Sequence, residues 1–393
     1  MAVSLKARWI VPVGSPPIES GVVTVENGRI SFVGTSRENL LPTIDLGESV
    51  LLPGLVNAHG HLEHSTLKEK TTTGRSFTEW VKEVAKKHPE QTTQAAITQL
   101  IAGGTTTLAD HCSPETDFFD TPLRRIIFWE VLGSERTRAK ASLKKAIAMA
   151  EQYGGHVSPH SLYGVHQDTI ENILRRVARG EVAGPVLSVH LCESTDEVQF
   201  FRHGAGPMAD YVKERGGTVP FGDTSPVRWL NQHRALSPRT LLIHGNYLTE
   251  DEMTLIARSG ATVVHCPGSH RFFGHQRFPL EKLRKHGIPI ALGTDSLASN
   301  KELSLLREMR LLKETQSDLV AEEILKMGTI KGARALGLEN EIGSIAAGKK
   351  ADLIAIPIPS GCDDPYDAVL RAKEVSFSMV GGTPLLERER GRG

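Results

Sequence analysis

Apolar positions near the start of the chain come in short runs broken by turn residues. "ARWIVPV" and "GVVTVENGRISFVG" read as strands, with "ENGRI" as a turn between β-rich runs. From residue 51 the pattern becomes strands alternating with helices, and near 343 it reverts to strand-like runs, "GSIAAGKKADLIAIPIP" and "EVSFSMVGG". The expectation is a small β-sandwich domain built from residues 1–50 and 343–393, flanking a large domain over 51–342. The charged tail "ERERGRG" is expected to be disordered.

The middle is well punctuated. "LLPGLVNA" (51–58), "TTTLAD" (105–110), "RRIIFWEV" (124–131), "HVSPHSL" (156–162), "PVLSVHL" (185–191), "TLLIHG" (240–245), "ATVVHCP" (261–267) and "IPIALGTDS" (288–296) each precede helical sequence. Asp168 with Glu171, Thr249 with Glu252 and Ser299 with Glu302 read as capping boxes, Ser225-Pro226 as a helix start, and Gly180 as a helix end. Eight β-then-α units of this total length predict an α/β fold of the (β/α)8 barrel kind. A doubly wound sheet is the alternative, weakened by the lack of a Gly-rich phosphate fingerprint after the first strand.

In a barrel the chemistry sits at the C-terminal strand ends. The first strand delivers His59 and His61, the second Asp110 and His111, the third Glu130, and the fourth His160. The fifth delivers His190 with Glu193 just beyond, the sixth His244, the seventh His265 and the eighth Asp295. His59 and His61 are two apart, so along a strand they face one point, and imidazole is a common transition-metal ligand. One His-X-His is as well explained as two loop histidines, but packing does not explain histidine or carboxylate at the end of strand after strand. Glu63 keeps the phase of the two histidines and is read as meeting a substrate hydroxyl or amino group, ahead of a plain loop carboxylate. Phe77 and Trp80, after the first strand, and Phe273, after the seventh, could wall a pocket or simply pack in the core. Asp110 and His111 suit hydrogen-bond support of other site residues, and His265 suits a core histidine.

The 393 residues carry 46 basic and 46 acidic side chains, so no basic surface argues for nucleic acid. Four widely spaced cysteines suggest neither a disulfide framework nor a cysteine zinc site. No run is long enough for a membrane span, and the N-terminus lacks a signal-peptide core. The expectation is a soluble, cytoplasmic protein with a small-molecule substrate, no nucleic-acid or membrane partner, and a homodimer allowed.

"PGLVNAHGHLE", "VHLCES", "IHGNYL", "LGTDS" and "GSIAAGKKADLIAI" together resemble the amidohydrolase superfamily, in its cytosine deaminase-like aminohydrolase branch, over nearly the whole chain. The resemblance implies His59, His61, His190 and Asp295 as ligands of one divalent metal ion, Zn2+ ahead of Fe2+. It implies Glu193 as the proton shuttle, His244 as the residue orienting the attacking water, Asp295 as a proton acceptor, and His160 as a substrate contact. Family members with two metals commonly bridge them with a strand-four lysine; "HVSPHSL" has none, which favours one metal. The finer resemblance, carried by "HLE", "GPMADYV", "CPGSHRFFGH" and "GTDSLASN", is to 6-amino-6-deoxyfutalosine deaminases of menaquinone biosynthesis. It implies hydrolysis of an exocyclic amine on a heteroaromatic ring, an adenine nucleoside first, to a carbonyl and ammonia. Ser161, Leu162 and Tyr163 stand where that subgroup suggests Ala-Pro-Tyr, and His270 where it suggests Asn; these positions are expected to line the pocket. The rivals are a triazine-type chlorohydrolase, a guanine or cytosine deaminase, and a non-catalytic binding paralogue.

Overall fold

The structure is a computed structural model and describes residues 2–35, 42–87, 94–181, 184 and 186–387. Residues 388–393 of the expected disordered tail lie outside the described residues.

Both chain ends meet in one mixed sheet. Its strands run in the order Thr383–Glu387, Phe377–Val380, Leu353–Pro357, Ser49–Pro53, Ala2–Ile10, Ile18–Glu26 and Arg29–Thr35, with Thr43–Asp45 also pairing with Ala2–Ile10. Asn27 and Gly28 both take positive φ, 50° and 77°, the geometry that closes a two-residue hairpin between twisted strands. Leu5, Ile10, Val23, Val25, Leu51, Leu353 and Phe377 form a core cluster on this sheet. Val50, Leu52, Ile354 and Ile356 belong instead to the large cluster that also holds barrel and helix residues, so the sheet is welded to the rest by shared packing.

The run at 51–58 is not one strand. It divides at Gly54: Ser49–Pro53 joins the mixed sheet, and Leu55–Gly60 is the first barrel strand. Both halves are fully buried, so hydrophobicity alone gave no sign of the break.

Leu55–Gly60, Thr105–Cys112, Arg124–Val131 and His156–Pro159 form one parallel four-stranded sheet. Leu187–Leu191, Thr240–His244, Thr262–His265 and Ile290–Leu292 form another. Two parallel bridges, Gly60 with Asp295 and Ser161 with His190, close the two halves into an eight-stranded barrel. Its strands are buried on both faces, as helices on the outside require. Seam bonds run through residues of functional interest: the Thr294 and Asp295 amides donate to the His59 carbonyl (3.0 and 3.1 Å), and the His190 amide to the His160 carbonyl (2.9 Å). Gly293 permits the first seam, since a Cβ there would lie 2.8 Å from both Cβ and carbonyl oxygen of His59.

The Thr249–Glu252 capping box forms before the helix Glu250–Ser259, and Gly180 ends Gln167–Arg179 in the left-handed conformation. Two starts differ. His166, not Asp168, caps Gln167–Arg179, its ring accepting from the Asp168 amide. Ser304 caps the helix Leu305–Thr315, while Ser299 is diverted to hydrogen-bond Asp295. All four cysteines are buried and free, and among the described residues no helix is long and apolar enough to cross a membrane.

Candidate active site

Four of the strand-end residues converge at one point. His61 and His190 face each other with Nε2 atoms 3.4 Å apart. Asp295 Oδ1 lies 3.7 Å from His59 Nε2 and 4.0 Å from His61 Nε2. All are buried: His59 is 0% exposed, His190 4%, His61 5% and Asp295 6%. Burial pushes all three histidines below their ordinary pKa, so they are neutral and hold lone pairs. Burial raises Asp295, but His59, His244 and His61 around it prevail and hold it well below the usual carboxylate range.

Metal ligation is tested by where the protons must be. His190 Nδ1 is 2.8 Å from the His160 carbonyl, which can only accept; the proton is therefore on Nδ1 and the lone pair on Nε2, facing the cluster. His59 Nδ1 is 3.1 Å from His111 Nδ1, and His111 Nε2 is 2.7 Å from the Ser188 hydroxyl. His59 Nε2 is buried and has no hydrogen-bond partner. Asp295 is oriented from behind by the Ser299 hydroxyl (2.7 Å) and the Ser296 amide (2.8 Å). Tetrahedral bonds of about 2.0–2.1 Å place neighbouring ligand atoms roughly 3.4 Å apart. The donor set, its spacing and the orphaned imidazole nitrogen fit a divalent ion of the zinc kind, with His59, His61, His190 and Asp295 the residues that could hold it. His61 Nδ1 is also buried without a hydrogen bond, and Glu130 lies beside it at 3.9 Å, with its other oxygen 3.6 Å from His190 Nδ1.

Glu193 and His244 form a second convergence. His244 Nε2 is 3.4 Å from Glu193 Oε1, and both side chains are buried. Burial, then the charge of Asp295, raises Glu193 well above the ordinary carboxyl value, the direction that suits a group exchanging protons. Burial lowers His244 to about 3, leaving a neutral imidazole. Cys192, His244 and Asp295 all take positive φ, 51°, 71° and 58°, although none is glycine. Such strain costs about 1–3 kcal/mol per residue and persists where surrounding structure enforces it.

A cavity of about 640 Å³ opens beside both groups. His61, Glu63, Phe77, Trp80, Glu130, His160, His190, Glu193, His244 and Asp295 all line it. Glu63 gets there differently from the expectation: the strand phase ends at Gly60, and Glu63 sits in a 3-10 turn, Leu62–Leu67. One of its oxygens accepts from the Ser113 amide (2.9 Å) and the Thr116 hydroxyl; the other is 3.5 Å from His64 Nε2. His160 stacks on His190 at 4.3 Å. Phe273 is placed behind the wall, edge-on to Trp80 (4.9 Å) and Phe77 (5.4 Å), rather than on it. Ser161, Leu162 and His270 are likewise not on the cavity wall, contrary to expectation. Ser161 instead bonds the Gly164 amide and His160 Nδ1, and His270 bonds Asn246.

Asp110 and His111 take their expected supporting places. Asp110 accepts from the Leu62 amide, fixing the turn after His61, and pairs with Arg125 at 2.6 Å. His265 is a buried histidine stacked on Phe278 at 3.7 Å. Tyr163 lines the cavity as expected, whereas sequence reasoning missed His64, Leu132, Tyr211 and Val212 on its wall. His64 had a signal, three residues after His61 on one turn; the others arrive from separate loops and helices.

A sequence model of the amidohydrolase family matches residues 50–385. The chain belongs to that family. As an amidohydrolase it is a metal-dependent hydrolase acting on carbon–nitrogen bonds, with a divalent-metal site of the zinc kind. It is 29% identical to a 5-methylthioadenosine/S-adenosylhomocysteine deaminase of Moorella thermoacetica, covering 98% of this chain and 94% of that one. It is 30% identical to an aminodeoxyfutalosine deaminase of Nitratiruptor sp., covering 82% of each. The amidohydrolase fold also superposes on the Helicobacter pylori aminofutalosine deaminase in complex with methylthio-coformycin, with TM-score 0.84, 23% identity and coverage of 98% and 100%.

Proposed function

We propose that the amine this enzyme hydrolyses is the 6-amino group of an adenine nucleoside, 6-amino-6-deoxyfutalosine or a close analogue. The observation that carries the reading is the Glu193–His244 pair, 3.4 Å apart, on the wall of the cavity that also exposes His61, His190 and Asp295. Named relatives that deaminate adenine nucleosides support it.

The reaction joins a water oxygen to the ring carbon and releases the amine as ammonia. A divalent ion held by His59, His61, His190 and Asp295 would acidify water at neutral pH. The protein's share is proton handling and placement. Glu193, its pKa raised by burial, donates a proton to the ring nitrogen beside the amine, which makes the carbon more electrophilic. It then takes a proton from the water and passes it to the leaving nitrogen. His244, neutral, orients by hydrogen bonding, and Asp295, held ionised, serves as a further proton acceptor. Glu63 presents a carboxylate on the cavity wall for the ribose hydroxyls, while Phe77 and Trp80 offer apolar faces. We read residues 51–342 as the unit that carries this chemistry and 1–50 with 343–393 as a second unit; every cavity-lining residue falls in the first.

The test is ammonia release by zinc-loaded protein against 6-amino-6-deoxyfutalosine, 5-methylthioadenosine, S-adenosylhomocysteine, guanine, cytosine and a chlorotriazine. Turnover of adenine nucleosides with poor use of cytosine is expected. Efficient cytosine or triazine turnover with no adenine-nucleoside activity would overturn the substrate assignment.

A further inference from the structure

Glu193 follows directly on a residue in a strained backbone conformation, Cys192 at φ 51°. Something must hold that kink, because a non-glycine residue relaxes out of it when released. The three carbonyls on either side of the kink are all taken by the loop after the sixth barrel strand. Gly245 N donates to Leu191 O (3.0 Å), Tyr247 N to Cys192 O (3.2 Å), and the Asn246 side-chain amide to Glu193 O (3.0 Å). From the other side, the Glu193 N–H donates to the Glu197 carboxylate at 2.8 Å. Glu197 is fully buried in the first turn of the helix Thr195–His203, and Asn246 is 7% exposed.

The Asn246 amide is itself fixed. His270 Nδ1 lies 3.1 Å from Asn246 Oδ1, so an imidazole N–H on that oxygen turns the NH2 group toward Glu193. Burial lowers His270 to about 4, so the ring is neutral and carries one proton. Neither Asn246, Glu197 nor His270 lines the cavity, so their contacts serve Glu193 rather than the substrate.

We propose that Asn246, set by His270, and Glu197 are positioning residues that grip the Glu193 backbone from both sides and hold its carboxylate over the reacting atoms. The inference rests on the reading of Glu193 as the proton-transfer group. A catalytic group displaced by about 1 Å costs on the order of 10²-fold, so loss of either grip is expected to lower kcat about 10–100-fold. KM and zinc content stay near wild type, because neither the cavity wall nor the imidazole cluster is touched.

The test is a double-mutant cycle with single-turnover kinetics and zinc analysis. Asn246→Ala and Glu197→Ala should each lower kcat in the wild-type background. Glu197→Gln, which keeps an acceptor for the Glu193 N–H, should restore kcat to within a few-fold of wild type. In a Glu193→Gln background, where the shuttle is already lost, Asn246→Ala should cause no further loss. A purely structural role would instead multiply the two losses, and that result overturns the proposal, as does an Asn246→Ala enzyme within about threefold of wild type. If Asn246→Ala fails to fold, the Glu197→Ala and Glu197→Gln pair decides, equal kcat in the two being the contrary result. A fully active Glu193→Gln enzyme overturns the assignment of Glu193, and this inference with it; an inactive one with no effect at Asn246 or Glu197 overturns this inference alone.

Discussion

His111 never meets the cavity, yet replacing it should weaken the metal site. Its ring is fully buried, stacked 4.6 Å from Phe128, with Nδ1 facing His59 Nδ1 and Nε2 facing Ser188. The trio has two proton registers. In one, His111 Nδ1–H is shared between His59 Nδ1 and the Ala109 carbonyl (3.3 Å), leaving the His59 proton on Nε2 toward Asp295. In the other, His59 Nδ1–H donates to His111 and His111 Nε2–H donates to Ser188, which frees His59 Nε2 as a ligand. Metal binding requires the second register. In His111→Phe the ring stack is kept, but the ligand form of His59 must bury an N–H with no acceptor. Such a group costs about 1–3 kcal/mol. The metal-free protein escapes the cost by keeping the proton on Nε2, so the penalty falls on metal affinity. That corresponds to a zinc Kd raised roughly 10–100-fold, the scale of a lost outer-shell partner. Competition against a chelator of known affinity measures it, with a thermal melt of the metal-free protein as control. A Kd within twofold of wild type in a folded variant would refute the reasoning, and Ser188→Ala should have a smaller effect because it removes only the far acceptor.

Arg125→Met should cost about 3–5 kcal/mol by denaturant titration, since it strands Asp110, which is 0% exposed and loses a 2.6 Å pair. Adding Asp110→Asn to that variant should recover part of the loss; a double variant less stable than Arg125→Met would refute this. Glu197 supplies a pH dependence. Burial raises it to about 7 from 4.5, so its contribution is full below about 4.5 and is lost as pH rises through about 7. Glu197→Gln escapes that loss, so its stability relative to wild type should grow by ~2 kcal/mol between pH 5.5 and 8; a flat difference would place Glu197 in a more polar setting.

The barrel was legible because its strands are short runs rich in apolar and β-branched residues, bounded by glycine and capping residues, as at "TLLIHG" before Thr249 and Glu252. The strand ends were legible because histidine and carboxylate interrupt those runs, and the roles of Glu193 and His244 came from resemblance to a family. Some local signals were outbid by tertiary demands. Ser299 looks like a helix cap but is used to orient Asp295, and the helix waits for Ser304. Glu63 looks like a continuation of the first strand, but Asp110 captures the Leu62 amide and the chain turns. The rest of the cavity wall was not legible, since Leu132 and the helix Pro207–Glu214 that carries Tyr211 and Val212 meet the strand ends only through the closure of the barrel.

The central claim, hydrolytic deamination at this site, is tested most directly by turnover of 6-amino-6-deoxyfutalosine or 5-methylthioadenosine in 18O-labelled water. The account predicts one ammonia released per product, one labelled oxygen in the product carbonyl, and loss of both after chelation with recovery on adding zinc. Folded, zinc-loaded protein that releases no ammonia from any adenine nucleoside, or turnover indifferent to metal removal, would contradict it.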